Sequence, residues 1–145
     1  FASYWKIKLK ENNMRIFFNF SLVILLFLKP CFAGWSEVAR NTDFTRYFID
    51  FGKMQVVEPY TYAWLLVNYL EPDQSGSMSE VHYIKVHCSD FVFRTLKILR
   101  YGGPMGFGNI ADSFVPSNTL DWNYAKSGTA REAVIKNICT NGLID

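Results

Sequence analysis

The chain has 145 residues, of which 50% are hydrophobic, 17% aromatic and 19% charged, and its formal net charge is +2. This apolar content excludes a disordered chain and predicts one domain with a packed core. The 15 basic and 13 acidic residues are nearly balanced, so the composition gives no sign of the basic face that binds nucleic acid.

The first predicted element is an apolar run near the N-terminus. Arg15 precedes residues 16–28, IFFNFSLVILLFL, of which only two are polar. The run is shorter than the roughly 20 residues needed to cross a bilayer, but its length is typical of a signal-peptide core. Two alternatives stay open, a buried core helix and a retained membrane anchor.

Small residues after this run indicate where a signal peptidase would cut. The stretch that follows ends in Cys-Phe-Ala, with Ala33 before Gly34. We therefore predict a signal peptide over residues 14–33, cleaved between Ala33 and Gly34. Cys31 raises the alternative of a lipid anchor, although the Lys and Pro before it fit that signal poorly.

The predicted signal peptide divides the chain into three parts. Residues 1–13 precede Met14 and are interpreted as an upstream or unstructured extension, and residues 34–145 form a single domain without a transmembrane span. Residues 34–145 carry 10 basic and 12 acidic residues, a net charge of −2. The overall basic charge therefore comes from the leader, which further weakens nucleic acid or an anionic membrane as a partner.

Two cysteines remain in the exported part, Cys88 and Cys139. An even number of cysteines in an oxidising compartment is typical of a disulfide, so we predict that these two are bonded. The alternative is two separate buried thiols.

The exported part begins with a short leading segment over residues 34–40. Residues 44–51 alternate in polarity and predict a strand, and residues 54–57 predict a partner strand. We expect the two to form a hairpin across residues 50–53.

Three long strands follow. Residues 60–70 are apolar at both odd and even positions, which predicts a central strand covered on both faces. After the polar loop 71–79, residues 80–88 alternate again, with Cys88 on the apolar side. Residues 91–101 predict a third strand, so the three form an antiparallel meander.

Residues 101–109 contain four glycines and a proline, which predict a turn-rich loop. Residues 110–115 predict a short strand. Residues 116–128 are expected to be irregular, with Trp122 and Tyr124 as packing anchors.

A helix is predicted at the C-terminus. Thr129 and Glu132 form a capping-box pattern, and the helix continues to about Cys139 before Gly142 ends it. An apolar stripe follows the helical spacing: Ala130, Val134, Ile135 and Ile138. The predicted fold class is α+β, an antiparallel sheet of about five to six strands with one C-terminal helix packed on it and joined to it by the disulfide.

The glycine-rich loop is the first place to look for chemistry. It contains Gly102, Gly103, Met105, Gly106 and Gly108, but no Lys and no following helix, as a phosphate-binding loop would require. We interpret these five residues as a structural turn.

Metal-ligand types cluster at His82, His87, Cys88 and Asp90. Adjacent residues of a strand point to opposite faces, so His87 and Cys88 cannot easily share one ion. We interpret the histidines as partly exposed strand residues and predict no metal, no cofactor and no catalytic residue. The sequence contains nothing that sets the oligomeric state.

The exported part resembles the surface-adhesin protein E-like domains of Gram-negative bacteria over nearly all of residues 35–139. The shared features are a Cys between two long strands, a Tyr-x-Gly-x-Met-Gly-x-Gly type loop and a helix that ends on a second Cys. The residues that carry the resemblance are Trp35, residues 47–50, residues 67–70, Cys88, residues 101–108 and Cys139.

This resemblance implies an exported, non-enzymatic protein of the periplasm, the outer membrane or the cell surface. It also implies a protein partner, since the named member of the family is an adhesin for host extracellular-matrix and serum proteins. Aromatic residues are enriched at interfaces, yet Tyr60, Tyr62, Trp64 and Phe93, taken one by one, are better explained as residues that fill a small core. The alternative function is a periplasmic ligand-binding protein or enzyme with a site near Gly102–Gly108.

Overall fold

The computed structural model describes residues 34–117 and 120–142, in which eight strands form one antiparallel sheet and one α-helix lies at the C-terminal end. The strands are β1 (Trp35–Arg40), β2 (Arg46–Asp50), β3 (Gln55–Val57), β4 (Tyr60–Asn68), β5 (Ser79–His87), β6 (Val92–Tyr101), β7 (Ile110–Phe114) and β8 (Asn123–Tyr124), and the helix is α1 (Ala130–Asn141). The α+β class is confirmed, with more strands than the five to six predicted.

The sheet has the order β1-β2-β4-β5-β6-β7. Its centre is the predicted meander of β4, β5 and β6, in which every neighbouring pair is antiparallel. The extra strands come from two stretches that we interpreted differently. Residues 34–40 form the edge strand β1, and the stretch 116–128 contains the two-residue strand β8.

The predicted hairpin of residues 44–51 with residues 54–57 is wrong. Strand β2 lies between β1 and β4, and β3 pairs with β4 instead, with Gln55 opposite Tyr62. Both sides of β2 are therefore occupied, and the short 3₁₀ helix Phe51–Lys53 carries the chain past its end. As a result β2 and β3 lie one after the other along the same side of β4.

The main core lies between the sheet and α1. Thr129 caps the helix as predicted, because its hydroxyl oxygen accepts a hydrogen bond from the backbone N–H of Glu132. The buried apolar side chains of this core are Ile49, Ala63, Leu65, Val67, Ile84, Val86, Phe93, Val134, Ile135 and Ile138. Burying this face of the amphipathic helix holds the helix against the sheet.

A disulfide joins Cys88, next to the end of β5, to Cys139 in the last turn of α1. The Cα atoms of the two cysteines are 5.5 Å apart, within the range that a disulfide requires. The predicted disulfide between helix and sheet is confirmed.

The N-terminal assignments lie outside the described residues. They are the extension 1–13, the signal peptide 14–33, the lipid-anchor alternative at Cys31 and the Ala33 side of the predicted cut; Gly34 is described and is exposed. Among the helices that the structure describes, none is both long and apolar enough to cross a membrane.

Candidate binding surface

The sheet face opposite α1 carries a row of large aromatic side chains. In β4, the half-buried Tyr60, Tyr62 and Trp64 alternate with the buried Thr61 and Ala63, because successive side chains of a strand point to opposite faces. We call the surface formed by Tyr60, Tyr62, Trp64, Tyr83 and Trp122 the aromatic face.

The rings of this face contact one another across the strands. Trp64 lies opposite Tyr83 in the β4–β5 pair, and their ring centroids are 4.7 Å apart. Tyr62 stacks on Tyr83 at 6.0 Å, and Tyr60 stacks on Trp122 at 5.8 Å. Each of the five side chains is half-buried. The rings thus form two groups, one of Trp64, Tyr83 and Tyr62 and one of Tyr60 and Trp122.

This arrangement corrects two sequence-based expectations. Of the four aromatics that could have filled the core, only Phe93 lies against α1, while Tyr60, Tyr62 and Trp64 are on the opposite face. Trp122 packs as expected, but Tyr124 is 79% exposed and is no anchor.

Two cations lie directly over rings of the aromatic face. The Lys85 Nζ is 3.6 Å from the centroid of Tyr60, and the Arg94 guanidinium carbon is 3.8 Å from a ring of Trp122. Such contacts stabilise a cation through the negative potential of the ring face. A third cation, Lys97, lies on the same face, because it is opposite Tyr83 in the β5–β6 pair.

The glycine-rich loop packs on the same side of the sheet, beyond Trp64. Met105 contacts a small buried cluster made of Phe48, Leu66 and Val81. A Cβ on Gly103 would lie 2.6 Å from the carbonyl oxygen of Phe107, so a larger residue does not fit there.

Two polar side chains fix the loop to the sheet. The Ser79 hydroxyl donates to the carbonyl oxygen of Gly103 at 2.7 Å and accepts from the backbone N–H of Gly106 at 2.9 Å. The Asn68 side-chain oxygen accepts from the backbone N–H of Met105 at 2.6 Å. Gly106 has φ of +74° and Gly108 has φ of +91°, a backbone region that favours glycine, whereas Gly102 has open space around it.

Beside this loop lies an open depression of about 360 Å³. The residues that line it are Trp35, Lys53, Trp64, Val81, Leu99, Tyr101, Met105 and Gly106. None of them is a carboxylate, and Lys53 is paired with Asp50 at 3.0 Å. The depression therefore continues the aromatic face as far as the glycine-rich loop.

A polar cluster lies on the other side of the sheet. Glu80 accepts hydrogen bonds from the Arg100 Nε at 2.8 Å and pairs with the His82 Nε2 at 2.7 Å. Burial alone would raise the pKa of Glu80, but the bonds to His82 and Arg100 outweigh it and lower the pKa to about 2. His82 is 7% exposed, so our interpretation of it as partly exposed is wrong.

The four residues with metal-ligand side chains do not converge. His82 pairs with Glu80, His87 pairs with Asp90 at 2.8 Å, and Cys88 is in the disulfide. Within residues 34–117 and 120–142, no group of three or more His, Cys, Asp or Glu side chains could hold a metal ion.

Sequence reasoning missed the partners of the aromatic face. Tyr83, Lys85 and Arg94 were not singled out, although their positions follow from strand alternation once β4 and β5 are paired in register. The signal was present in residues 60–65, where the aromatic side chains occupy every second position.

Comparisons with known proteins identify a family and a fold. The family model described as "Surface-adhesin protein E" matches residues 35–140. The comparison with curated protein sequences finds no match.

The fold is similar to that of solved structures of Haemophilus influenzae protein E. One of them, crystal form II, has 18% sequence identity and a TM-score of 0.55, and the alignment covers 75% of this chain and 89% of that chain. The selenomethionine form has 18% identity and a TM-score of 0.56 over 78% and 92% of the two chains. The protein from the non-typeable organism has 17% identity and a TM-score of 0.52 over 78% and 82%.

Proposed function

The chain belongs to the surface-adhesin protein E family, and from this premise we propose that it is an exported, non-enzymatic protein that binds other proteins through its aromatic face. We place it in the periplasm or at the outer membrane and cell surface of a Gram-negative bacterium. Proteins of a host extracellular matrix are the partners that the family description "surface adhesin" suggests.

One observation carries this proposal: large aromatic rings cluster in two groups, Trp64–Tyr83–Tyr62 and Tyr60–Trp122, on the side of the sheet that α1 leaves open. Binding energy in protein interfaces is concentrated in buried aromatic and Arg side chains. Since Trp64 and Tyr83 have the shortest ring-to-ring distance on this face, 4.7 Å between centroids, they are the proposed anchors.

Export is the second part of the proposal. We propose that residues 14–33 are a signal peptide cut between Ala33 and Gly34, that residues 1–13 lie upstream of the true start, and that residues 34–145 are the mature domain. The position of β1, which begins at Trp35, supports a cut that leaves the fold intact. The Cys88–Cys139 disulfide is consistent with an oxidising compartment.

The intact mass of the protein purified from its native host tests export. A mass equal to that of residues 34–145 supports the proposed cut. A mass that retains residues 14–33 refutes it, and a form that begins at an acylated Cys31 replaces it with a lipid anchor.

The depression beside the glycine loop favours a second candidate function, the binding of a small ligand. Its volume of about 360 Å³ is at the lower end of the range for ligand pockets. Trp35 and Trp64 both line it, so a ligand seated there would change the tryptophan fluorescence.

Binding to immobilised extracellular-matrix proteins, measured by surface plasmon resonance, tests the main proposal. Trp64→Ala with Tyr83→Ala is expected to weaken binding by about 2–4 kcal/mol, as for truncated interface anchors. The control is Phe44→Ala, since Phe44 is 58% exposed on the loop between β1 and β2. Equal affinity of both variants would refute the assignment of the aromatic face.

A further inference from the structure

We infer that the segment bound by the aromatic face is an acidic stretch of polypeptide in an extended conformation, with carboxylates that pair with Lys85, Arg94 and Lys97. This inference rests on the proposed function and adds the chemistry of the partner.

Unpaired positive charge is concentrated at the aromatic face. Residues 34–145 contain 10 basic residues, and five of them form ion pairs within 4 Å in the described part of the chain: Arg40, Arg46, Lys53, Arg100 and Lys136. The other five form none there. Of these, Lys85, Arg94 and Lys97 lie on or beside the aromatic face, Arg131 lies over the core residue Phe93, and the fifth is Lys126. The face is thus locally positive on a domain whose net charge is −2.

Cations also cover ring faces at this surface. Lys85 lies over one face of Tyr60 and Arg94 over one face of Trp122, so these two ring faces are not free to stack on a flat ligand such as a sugar. The edges of aromatic rings carry positive potential. Cations above the rings and positive ring edges together favour a negatively charged ligand.

The cations are also regularly spaced. Lys85 lies opposite Arg94, and Lys97 lies opposite Tyr83, which comes two residues before Lys85 in β5. A β-bulge between these two positions puts Arg94 and Lys97 on the same face, although they are three residues apart in β6. The two positions are therefore about 7 Å apart along the strand. In an extended peptide, side chains at alternate positions point to the same side with the same spacing, so acidic residues at positions i and i+2 match both sites.

The rings next to the cations would add apolar contacts to the ion pairs with a bound peptide. Exposed ion pairs alone contribute little to affinity, but Trp64 and Tyr62 extend the surface next to Tyr83. An apolar side chain after the acidic pair would lie over these rings and be removed from water.

Fluorescence anisotropy of labelled peptides at low ionic strength tests the inference. The probes are a ten-residue peptide of alternating Glu and Ser, the same peptide with Gln for Glu, and a heparin oligosaccharide of similar length. We expect the Glu peptide to bind at least about tenfold more tightly than the Gln peptide, and added salt to weaken it.

Two double variants carry the same change in charge and separate the face from the rest of the molecule. Lys85→Gln with Lys97→Gln is expected to weaken the Glu peptide about tenfold, while Lys126→Gln with Lys136→Gln changes its affinity less than twofold. An equal effect of the two pairs would refute the inference, because attraction would then follow net charge alone.

Two further outcomes distinguish this inference from the function on which it rests. Heparin binding that depends on Lys85 and Lys97, without binding of the Glu peptide, would replace the acidic peptide with a sulfated glycan. If no acidic probe binds but matrix proteins are still captured in a manner that depends on Trp64, the partner chemistry is wrong and the proposed function survives.

Discussion

Loss of the Cys88–Cys139 disulfide should remove a large part of the stability of this domain. The bond joins the last turn of α1 to the end of β5 and closes a loop of 51 residues. The perturbation is the double variant Cys88→Ser with Cys139→Ser, which leaves no unpaired thiol at either position.

The length of the loop closed by the disulfide determines how much stability the variant should lose. In the chain-entropy model, closing a loop of 51 residues stabilises the folded state by about 4 kcal/mol at 25 °C. Since domains of this size have unfolding free energies of about 5–15 kcal/mol, the variant is expected to stay folded with a much smaller margin.

Urea unfolding followed by tryptophan fluorescence measures the effect. With an m-value of about 1–2 kcal/mol/M for a small domain, the midpoint is expected to fall by roughly 2–4 M. Wild-type protein unfolded in the presence of a reducing agent is the matched control and should behave like the variant. A midpoint that falls by less than about 0.5 M, with an unchanged m-value, would refute the loop-closure reasoning.

Three other predictions follow from individual side chains. Ser79→Ala removes a buried hydroxyl that satisfies two backbone groups of the glycine loop, so urea unfolding should show a loss of about 2–4 kcal/mol, and a loss below about 0.5 kcal/mol would contradict this. The pKa of Glu80 is lowered from 4.5 to about 2, so the stability that its ionised form adds is complete above about pH 4.5 and is lost as the pH falls toward 2. Urea unfolding from pH 5 to pH 2.5 should therefore show a loss of about 1–2 kcal/mol in unfolding free energy, a figure reduced for solvent screening at the partly exposed Arg100. A Glu80→Gln variant with the same acid dependence would show that another group is responsible. Thr129→Ala removes the helix cap and should cost about 1 kcal/mol in thermal or urea unfolding, a value that an unchanged midpoint would contradict.

The meander and the helix could be predicted because local signals and tertiary structure agree there. Each of the three long strands is bounded by a polar or glycine-rich stretch, and Thr129 marks the helix start. The disulfide followed from the number of cysteines and their compartment. Long elements carry enough periodicity to be recognised without knowledge of their neighbours.

The strands β1 and β8 and the partner of β3 could not be predicted, because they depend on pairing alone. Strand β8 has two residues, and its pairing with β6 has no periodic signal of its own. Strand β3 lies between β2 and β4 in the sequence, so either was a possible partner, and only the completed sheet shows that β1 already occupies the free side of β2.

The aromatic face escaped prediction for a related reason. Residues 60–70 are apolar at both odd and even positions, so the sequence does not indicate which set faces the helix. The contacts with α1 show which set faces the helix. Ala63 and Leu65 are fully buried in the core with α1, and Trp64 between them points to the open side.

Chemical-shift mapping of the ¹⁵N-labelled protein with a bound matrix-protein fragment tests the central claim most directly. Three tryptophans report on the side of the sheet opposite α1, because Trp64 and Trp122 belong to the aromatic face and Trp35 lines the adjacent depression. We expect the indole N–H signals of Trp64 and Trp122 to shift together with backbone amides of β4 and β5, while the exposed amides of α1 stay unchanged. Shifts confined to α1, with unchanged indole signals of Trp64 and Trp122, would contradict it.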